Sequence, residues 1–317
     1  MQSHERAATP GYAPAAPRLS TRRARTPRRL LREIGLPYLF LSPFLLLFAA
    51  FFLLPLAYAL GLSLFADRLI GGTIFAGAQN YLQVLQDGNF WEGVRRTALF
   101  GVVQVPISIG LALLFALVID SGAVRMRALF RLGYYLPAAI PSVVAALMWG
   151  YLYGPTFGPF AQVAAAVHLP QPGFLTDAGI LPSIGNIVTW LSTGSAMVVM
   201  YAALQSVPSE IYDAATVDGA TGWRTAWYIK IPLIRPALIM MGIFAIIGTL
   251  QLFAEPSILA PLAPGTINDH FTPNLYAYTL AFTNQQYNYA AAMSFTLGVI
   301  IFACSSFFMF VVTRRSR

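Results

Sequence analysis

Val207–Pro232 reads VPSEIYDAATVDGATGWRTAWYIKIP, and it stands between two apolar runs that are each long enough to cross a bilayer. The stretch is too polar to rest in lipid and too regular in its spacing to be a simple linker. Ser209 after Pro208 is placed to cap a first helix, Glu210–Val217. Glu210 and Asp213 then fall in its opening turn, three residues apart on one face, where carboxylates favour a helix N-terminus. Ala214 and Ala215 offer minimal side chains, so another surface can come close to the backbone. Gly219 is able to reverse the chain in a left-handed conformation. A second helix, Trp223–Lys230, leads to Pro232, where the next apolar run begins. Two readings fit these residues: a helical hairpin that closes a bundle with its charges solvated, or a surface presented to a partner.

The composition says what the loop belongs to. The 317 residues are 57% hydrophobic and 10% charged, whereas soluble domains carry about 25% charged residues. Six windows are nearly free of charge: 38–65, 97–119, 129–153, 184–204, 233–253 and 290–312. Each supplies the roughly 20 apolar residues that a helix needs to cross lipid. Backbone groups must be satisfied within a segment there, so the expected fold is an all-α membrane protein of six transmembrane helices. Pro43, Pro55, Pro106 and Pro141 predict kinks, and no strand-type alternation suggests a barrel.

Charge orients the spans. Of 20 Lys and Arg, 17 fall before span 1, after span 2, after span 4 or after span 6, and only Arg68, Arg95 and Arg96 lie on the other side. That bias predicts both termini in the cytoplasm, in agreement with an even number of spans. It also places the 207–232 loop there. The basic clusters are scattered along one rim, which argues against nucleic-acid binding. Residues 1–35, rich in Arg, Ala and Pro, are expected to be a disordered cytoplasmic tail that brushes lipid. The first apolar window is too long for a signal-peptide core and is expected to remain as an anchor. Cys304 is the sole cysteine, which excludes an internal disulfide and suggests a packing role. Aromatic residues gather at span ends, including Trp149 to Tyr153, as an interfacial belt or as sugar-stacking rings at the mouth of a pathway.

The loop also resembles a known family. Glu-Ala-Ala, three residues, Gly, nine residues, Ile-x-Leu-Pro marks permease subunits of bacterial ABC importers. Here the chain has Asp213-Ala214-Ala215, three residues, Gly219, nine residues, then Ile229-Lys230-Ile231-Pro232. It departs at Asp213, one methylene shorter than Glu, and at Ile231. The run Ile211 to Ala220, with Asp218 before the Gly, is similar to the sugar (maltose-type) branch. So are Phe130-Arg131 to Leu136-Pro137, Pro141 and Trp149, the stretch Leu252 to Pro256, and Tyr289 to Ala292. The branch's Gly and Asn after span 3 have no full counterpart beyond Gly158.

The resemblance implies the type I importer permease fold in a bacterial inner membrane, with 207–232 forming coupling helices on a cytoplasmic ATPase. Glu210, Asp213, Ala214, Ala215, Asp218, Gly219, Ile229 and Pro232 would carry that docking. The chain has no GxxxxGK[ST] phosphate loop, so ATP and Mg are expected on two separate ATP-binding subunits and no cofactor on this chain. A second, homologous permease subunit and an extracytoplasmic solute-binding protein would complete an importer of a small molecule, a carbohydrate on the branch resemblance. Trp190, Ser192, Thr193, Ser195, Met197 and Tyr201 in span 4, with Gln251 and Glu255 in span 5, are the candidate pathway residues. The rival is a stand-alone secondary transporter, which would normally show coupling-ion carboxylates in the spans and symmetry between halves. An importer of polyamine, phosphate or peptide is a further alternative. Nothing in the spans suggests an enzyme.

Overall fold

The computed structural model describes residues 27–68, 72–122 and 124–314. The chain forms two units, 1–57 and 58–317. In the first, α1 (Pro27–Phe48) passes through a π-helical turn (Ala49–Leu53) into α2 (Leu54–Ser63). The π turn lies just before Pro55, whose missing N–H removes a helix hydrogen bond and favours such a widening. Phe44, Phe48 and Phe52 stack at four-residue intervals, with ring centroids 6.0 and 5.0 Å apart. Helix begins at Pro27, inside the segment expected to be a disordered tail to residue 35; residues 1–26 of that tail lie outside the described residues.

In the second unit α2 ends at Ser63. A short antiparallel hairpin follows, β1 (Phe65–Arg68) with β2 (Gly72–Phe75), in the register Phe65↔Phe75. Asn80, in α3 (Gln79–Gln86), holds it to the end of α2 by donating to the carbonyls of Ser63 and Phe65 at 2.9 and 2.7 Å. Next come α4 (Gly88–Asp120), α5 (Arg127–Tyr135), α6 (Ser142–Tyr153), α7 (Pro159–Ala166) and α8 (Ile180–Gln205). The loop after it holds α9 (Ser209–Val217), α10 (Gly222–Thr225) and α11 (Ile231–Leu233). The chain closes with α12 (Arg235–Leu250), α13 (Ala254–Leu259), α14 (Pro273–Tyr278) and α15 (Tyr287–Arg314).

Among the described residues, five helical stretches are long and apolar enough to cross a membrane: 38–63, 88–120, 180–205, 235–262 and 287–314. The sixth expected span, 129–153, is broken rather than straight, with its halves Arg127–Ala139 and Ser142–Tyr153 meeting at 96°. Two prolines account for the break. Leu136–Ala139 tightens to a 3-10 turn around Pro137, and Ile140 is driven to φ −83°, ψ 130° by the ring of Pro141. By contrast Pro106 sits inside α4 without ending it, as membrane helices allow. Span 5 is also shorter as a continuous helix than expected, since α12 ends at Leu250 and α13 resumes at Ala254.

The tightest packing joins α4 to α8. Ala112 and Ala116 of α4 lie buried with Met197, Met200 and Leu204 of α8 and with Ile234. Small residues let membrane helices approach closely, and this pairing uses them so. A second close approach lies at Gly194, where a Cβ would stand 1.8 Å from the carbonyl oxygen of Tyr134; no side chain fits between α8 and the broken span. Cys304 is exposed on α15 rather than packed inside.

Candidate functional site

The loop after α8 is a helical hairpin with both arms solvent-facing. Pro208 occupies the cap position of α9 in an extended conformation, and no side chain caps the helix. Ser209 is therefore the first helical residue and not the cap expected from sequence. Glu210 lies in the first turn and Asp213 one turn on; both are exposed, and neither carboxylate is engaged by a described residue. Ala214 faces outward, whereas Ala215 is buried against the protein. Only the first is therefore open to an approaching surface.

Gly219 ends the helix at φ +75°. The Ala220 N–H donates to the Ala215 carbonyl and the Gly219 N–H to that of Thr216, at 2.9 and 3.1 Å. That pair of bonds is a Schellman closure, which needs the left-handed residue that glycine supplies. Asp218, exposed, is the C-cap. The returning arm starts at Gly222, one residue before the expected helix, and widens to a π-helical turn over Ala226–Lys230 before α11. It ends at Ile234, where φ −90°, ψ 9° interrupts the helix before α12. Ile229 is half-buried and Pro232 exposed. The hairpin also exposes large apolar side chains: Val217 is 88% exposed and Trp223 73%, and Trp223 stacks on Trp227 at 6.0 Å.

The candidate pathway residues are distributed and do not form one site. Trp190 and Thr193 line a cavity of about 590 Å³ between α4, the broken span and α8, with Asn186, Thr189, Phe115 and Tyr134 also on its wall. Ser192 and Ser195 face the other way, into a smaller cavity of about 190 Å³ with Gln104, Met241 and Thr249. Gln251 lines a third hollow, beside Phe253, Tyr278 and Ser294. Met197 is fully buried among packed helices and lines none of these. Tyr201 carries the Arg131 guanidinium 5.3 Å above its ring. Glu255 is buried in the first turn of α13, with 8% of its surface exposed.

The sequence missed Gln104, whose amide nitrogen lies 2.7 Å from the Thr189 hydroxyl, 2.9 Å from that of Ser108 and 3.1 Å from the Gly185 carbonyl. A buried amide at mid-helix in an apolar run was the available signal. The aromatic residues 149–153 divide between two faces: Tyr151 is exposed beside Phe157 at 5.8 Å. Trp149 and Tyr153 pack inward against Phe160, Phe174 and Trp190, with centroids 4.7 to 6.5 Å apart. The hydroxyl of Tyr153 accepts from Asn186 at 2.9 Å.

At the opposite end of the bundle, Asp87 organises the entry to α4. One carboxylate oxygen accepts from the N–H groups of Asn89 and Phe90, at 2.9 and 3.3 Å. The other accepts from the hydroxyls of Tyr276 and Tyr289, at 3.0 and 2.9 Å. Arg96, nearby, pairs with Glu92, donates to the Phe271 carbonyl at 3.0 Å and lies over the Phe271 ring at 4.7 Å. This clasp ties α4 to the segment between α13 and α15.

Residues 108–317 match the family described as binding-protein-dependent transport system inner membrane component. The chain belongs to that family. This permease is 32% identical over 286 residues to the lactose transport system permease protein LacF of Rhizobium radiobacter, covering 88% of this chain and 94% of that one. Its fold is similar to that of a chain in the crystal structure of a bacterial ABC transporter involved in the import of the acidic polysaccharide alginate. There the TM-score is 0.79 at 21% identity, over 92% of this permease and 99% of that chain. A second structure, the bacterial alginate ABC transporter in complex with alginate pentasaccharide-bound periplasmic protein, gives a TM-score of 0.77 at 22% identity, over 91% and 98%. The expected all-α fold class of an ABC importer permease is thus the observed one, with five continuous candidate spans among the described residues and a sixth if the bent pair counts as one.

Proposed function

We propose that this permease forms half of the translocation pathway of an ATP-driven carbohydrate importer and is driven through the 207–232 hairpin. The observation that carries the reading is the hairpin itself: two exposed arms closed at Gly219, carboxylates at Glu210 and Asp213 that no described residue engages, and exposed apolar side chains at Val217, Trp223 and Trp227. Exposed apolar rings together with exposed carboxylates, held outside the membrane spans, are the chemistry of a protein-docking surface. Two ATP-binding subunits carrying ATP and Mg would be its partners, with Glu210 or Asp213 meeting basic groups and Ala214 allowing close contact. The lactose permease relative supports a carbohydrate as cargo.

A second, homologous permease would supply the other half of the pathway, and an extracytoplasmic binding protein would deliver solute to the end of the bundle away from the hairpin. Both termini and the hairpin would then be cytoplasmic, in keeping with the bias of basic residues. Of the candidate pathway residues, Ser192 and Ser195 in the cavity with Gln104 and Thr249 offer hydroxyls and an amide suited to sugar hydroxyl groups. Movement from one access state to the other requires differential binding free energy, which ATP and the binding protein would supply jointly. The test is affinity purification of the tagged permease from its native membrane with identification of its companions. An ATPase, a second permease and a solute-binding protein are expected; a permease that purifies alone and transports alone would contradict the reading.

A further inference from the structure

At the foot of the hairpin a part-buried ion pair joins the hairpin to the ends of two spans. Lys230, in the π-helical turn, pairs through its ammonium with Oδ2 of Asp120, the last residue of α4. The side chains are 15% and 6% exposed. Gln205, the last residue of α8, donates its amide Nε2–H to Oδ1 of Asp120 at 2.7 Å. Tyr212 of α9 lies under the same ammonium, 5.0 Å from the ring centroid, and its hydroxyl reaches the Leu204 carbonyl at 3.5 Å. Thus α4, α8, α9 and the returning arm of the hairpin meet at one charged knot.

Three features set the knot apart from ordinary surface pairing. It is largely withdrawn from solvent, so removing one member leaves the other charge poorly compensated. It is assembled from both arms of the hairpin and from the ends of two spans. And Lys230 occupies the position that the Ile-x-Leu-Pro pattern leaves open, so the knot belongs to this chain's own residues and not to the shared motif. Without it, the hairpin would be held to the bundle by the chain at Ser206–Pro208 and Ile234 and by the apolar contacts of residues such as Ala215, with no charged tie to α4. A push on α9 would then reach α4 only indirectly.

We propose that Asp120 and Lys230 form a latch that fixes the hairpin to α4 and α8, so that displacement of α9 moves the tightly packed α4–α8 pair as well as α12. Asp120 is a positioning residue in this scheme, since it acts through Lys230 and touches neither solute nor ATPase. The inference rests on the docking role proposed for the hairpin, but the latch itself can be tested apart from that role.

The test compares wild type, Asp120→Asn, Lys230→Met and the exchanged pair Asp120→Lys/Lys230→Asp, each as the full chain in lipid nanodiscs. Amide hydrogen exchange over 209–217 and 226–230 is the first readout. Both single variants are expected to exchange about tenfold faster there, with α15 unchanged as an internal check on folding. The exchanged pair is expected to recover most of the protection. Unchanged exchange in the single variants, or no recovery in the exchanged pair, would overturn the latch. The second readout, in proteoliposomes holding the whole importer, is solute imported per ATP hydrolysed. It should fall in the single variants while the ATPase still co-purifies, and wild-type stoichiometry in those variants would refute the proposed transmission. If no ATPase accompanies even the wild-type chain, the docking role fails, and hydrogen exchange still decides the latch.

Discussion

Gly219 and Tyr276 show how single residues set the two ends of the molecule. At φ +75° Gly219 occupies a region where an L side chain costs about 1–2 kcal/mol. Asn tolerates that region best among the alternatives. Gly219→Asn should therefore keep the hairpin, while Gly219→Trp should lower uptake sharply and raise ATP hydrolysed per solute, with the amount in the membrane unchanged. Uptake by the Trp variant at the wild-type rate would remove the hairpin from the drive mechanism. Tyr276 donates to Asp87, and burial first, then that hydrogen bond and the carboxylate charge, hold its pKa above the ordinary value near 10. The raised value favours the protonated phenol in the fold. Its stabilisation is thus complete below about pH 10 and fades as pH rises through the higher folded value. Titration of phenolate absorbance should show one late tyrosine fewer in Tyr276→Phe; identical curves would contradict the contact.

Helix α4 is the element on which the outer clasp and the hairpin latch both bear. Its first turn is capped by Asp87 and its last residue is Asp120. Asp87→Ala removes an N-cap and leaves two tyrosine hydroxyls without their acceptor, so thermal stability in detergent should fall by an amount equivalent to about 1–3 kcal/mol. A melting temperature equal to wild type would show that the cap is dispensable. The apolar windows located this helix and its neighbours from sequence because length and lack of charge suffice to mark a membrane span. They did not give its start at Gly88, since Trp91, Arg95 and Arg96 read as loop although they continue the helix outside the apolar core. Nor did hydropathy separate the halves of the broken span. Pro141 predicted a kink there, but a proline alone does not tell a gentle bend from the 96° turn observed. The hairpin was legible because its turn rests on one glycine and its arms on local periodicity. The Asp120–Lys230 pair was not, because its members lie 110 residues apart and each alone reads as a rim charge. The pathway residues were the least legible: polar residues on successive positions of α8 point into different cavities, and only the packed helix decides which.

For the molecule as a whole, the exposed Val217, Trp223 and Trp227 of the hairpin are the apolar side chains outside the spans that call for a covering partner. On the reading proposed above, a second permease would complete the pathway and ATP would bind to separate subunits. The central claim is that solute movement through it is driven by ATP acting at the hairpin and not by an ion gradient. Uptake of radiolabelled oligosaccharide into proteoliposomes tests this most directly, with the permease supplied alone or with its co-purified ATPase, second permease and binding protein. Uptake is predicted only from the complete set, only with ATP on the hairpin side, and to be lost with Gly219→Trp. Accumulation by the permease alone under a proton or sodium gradient would contradict the account.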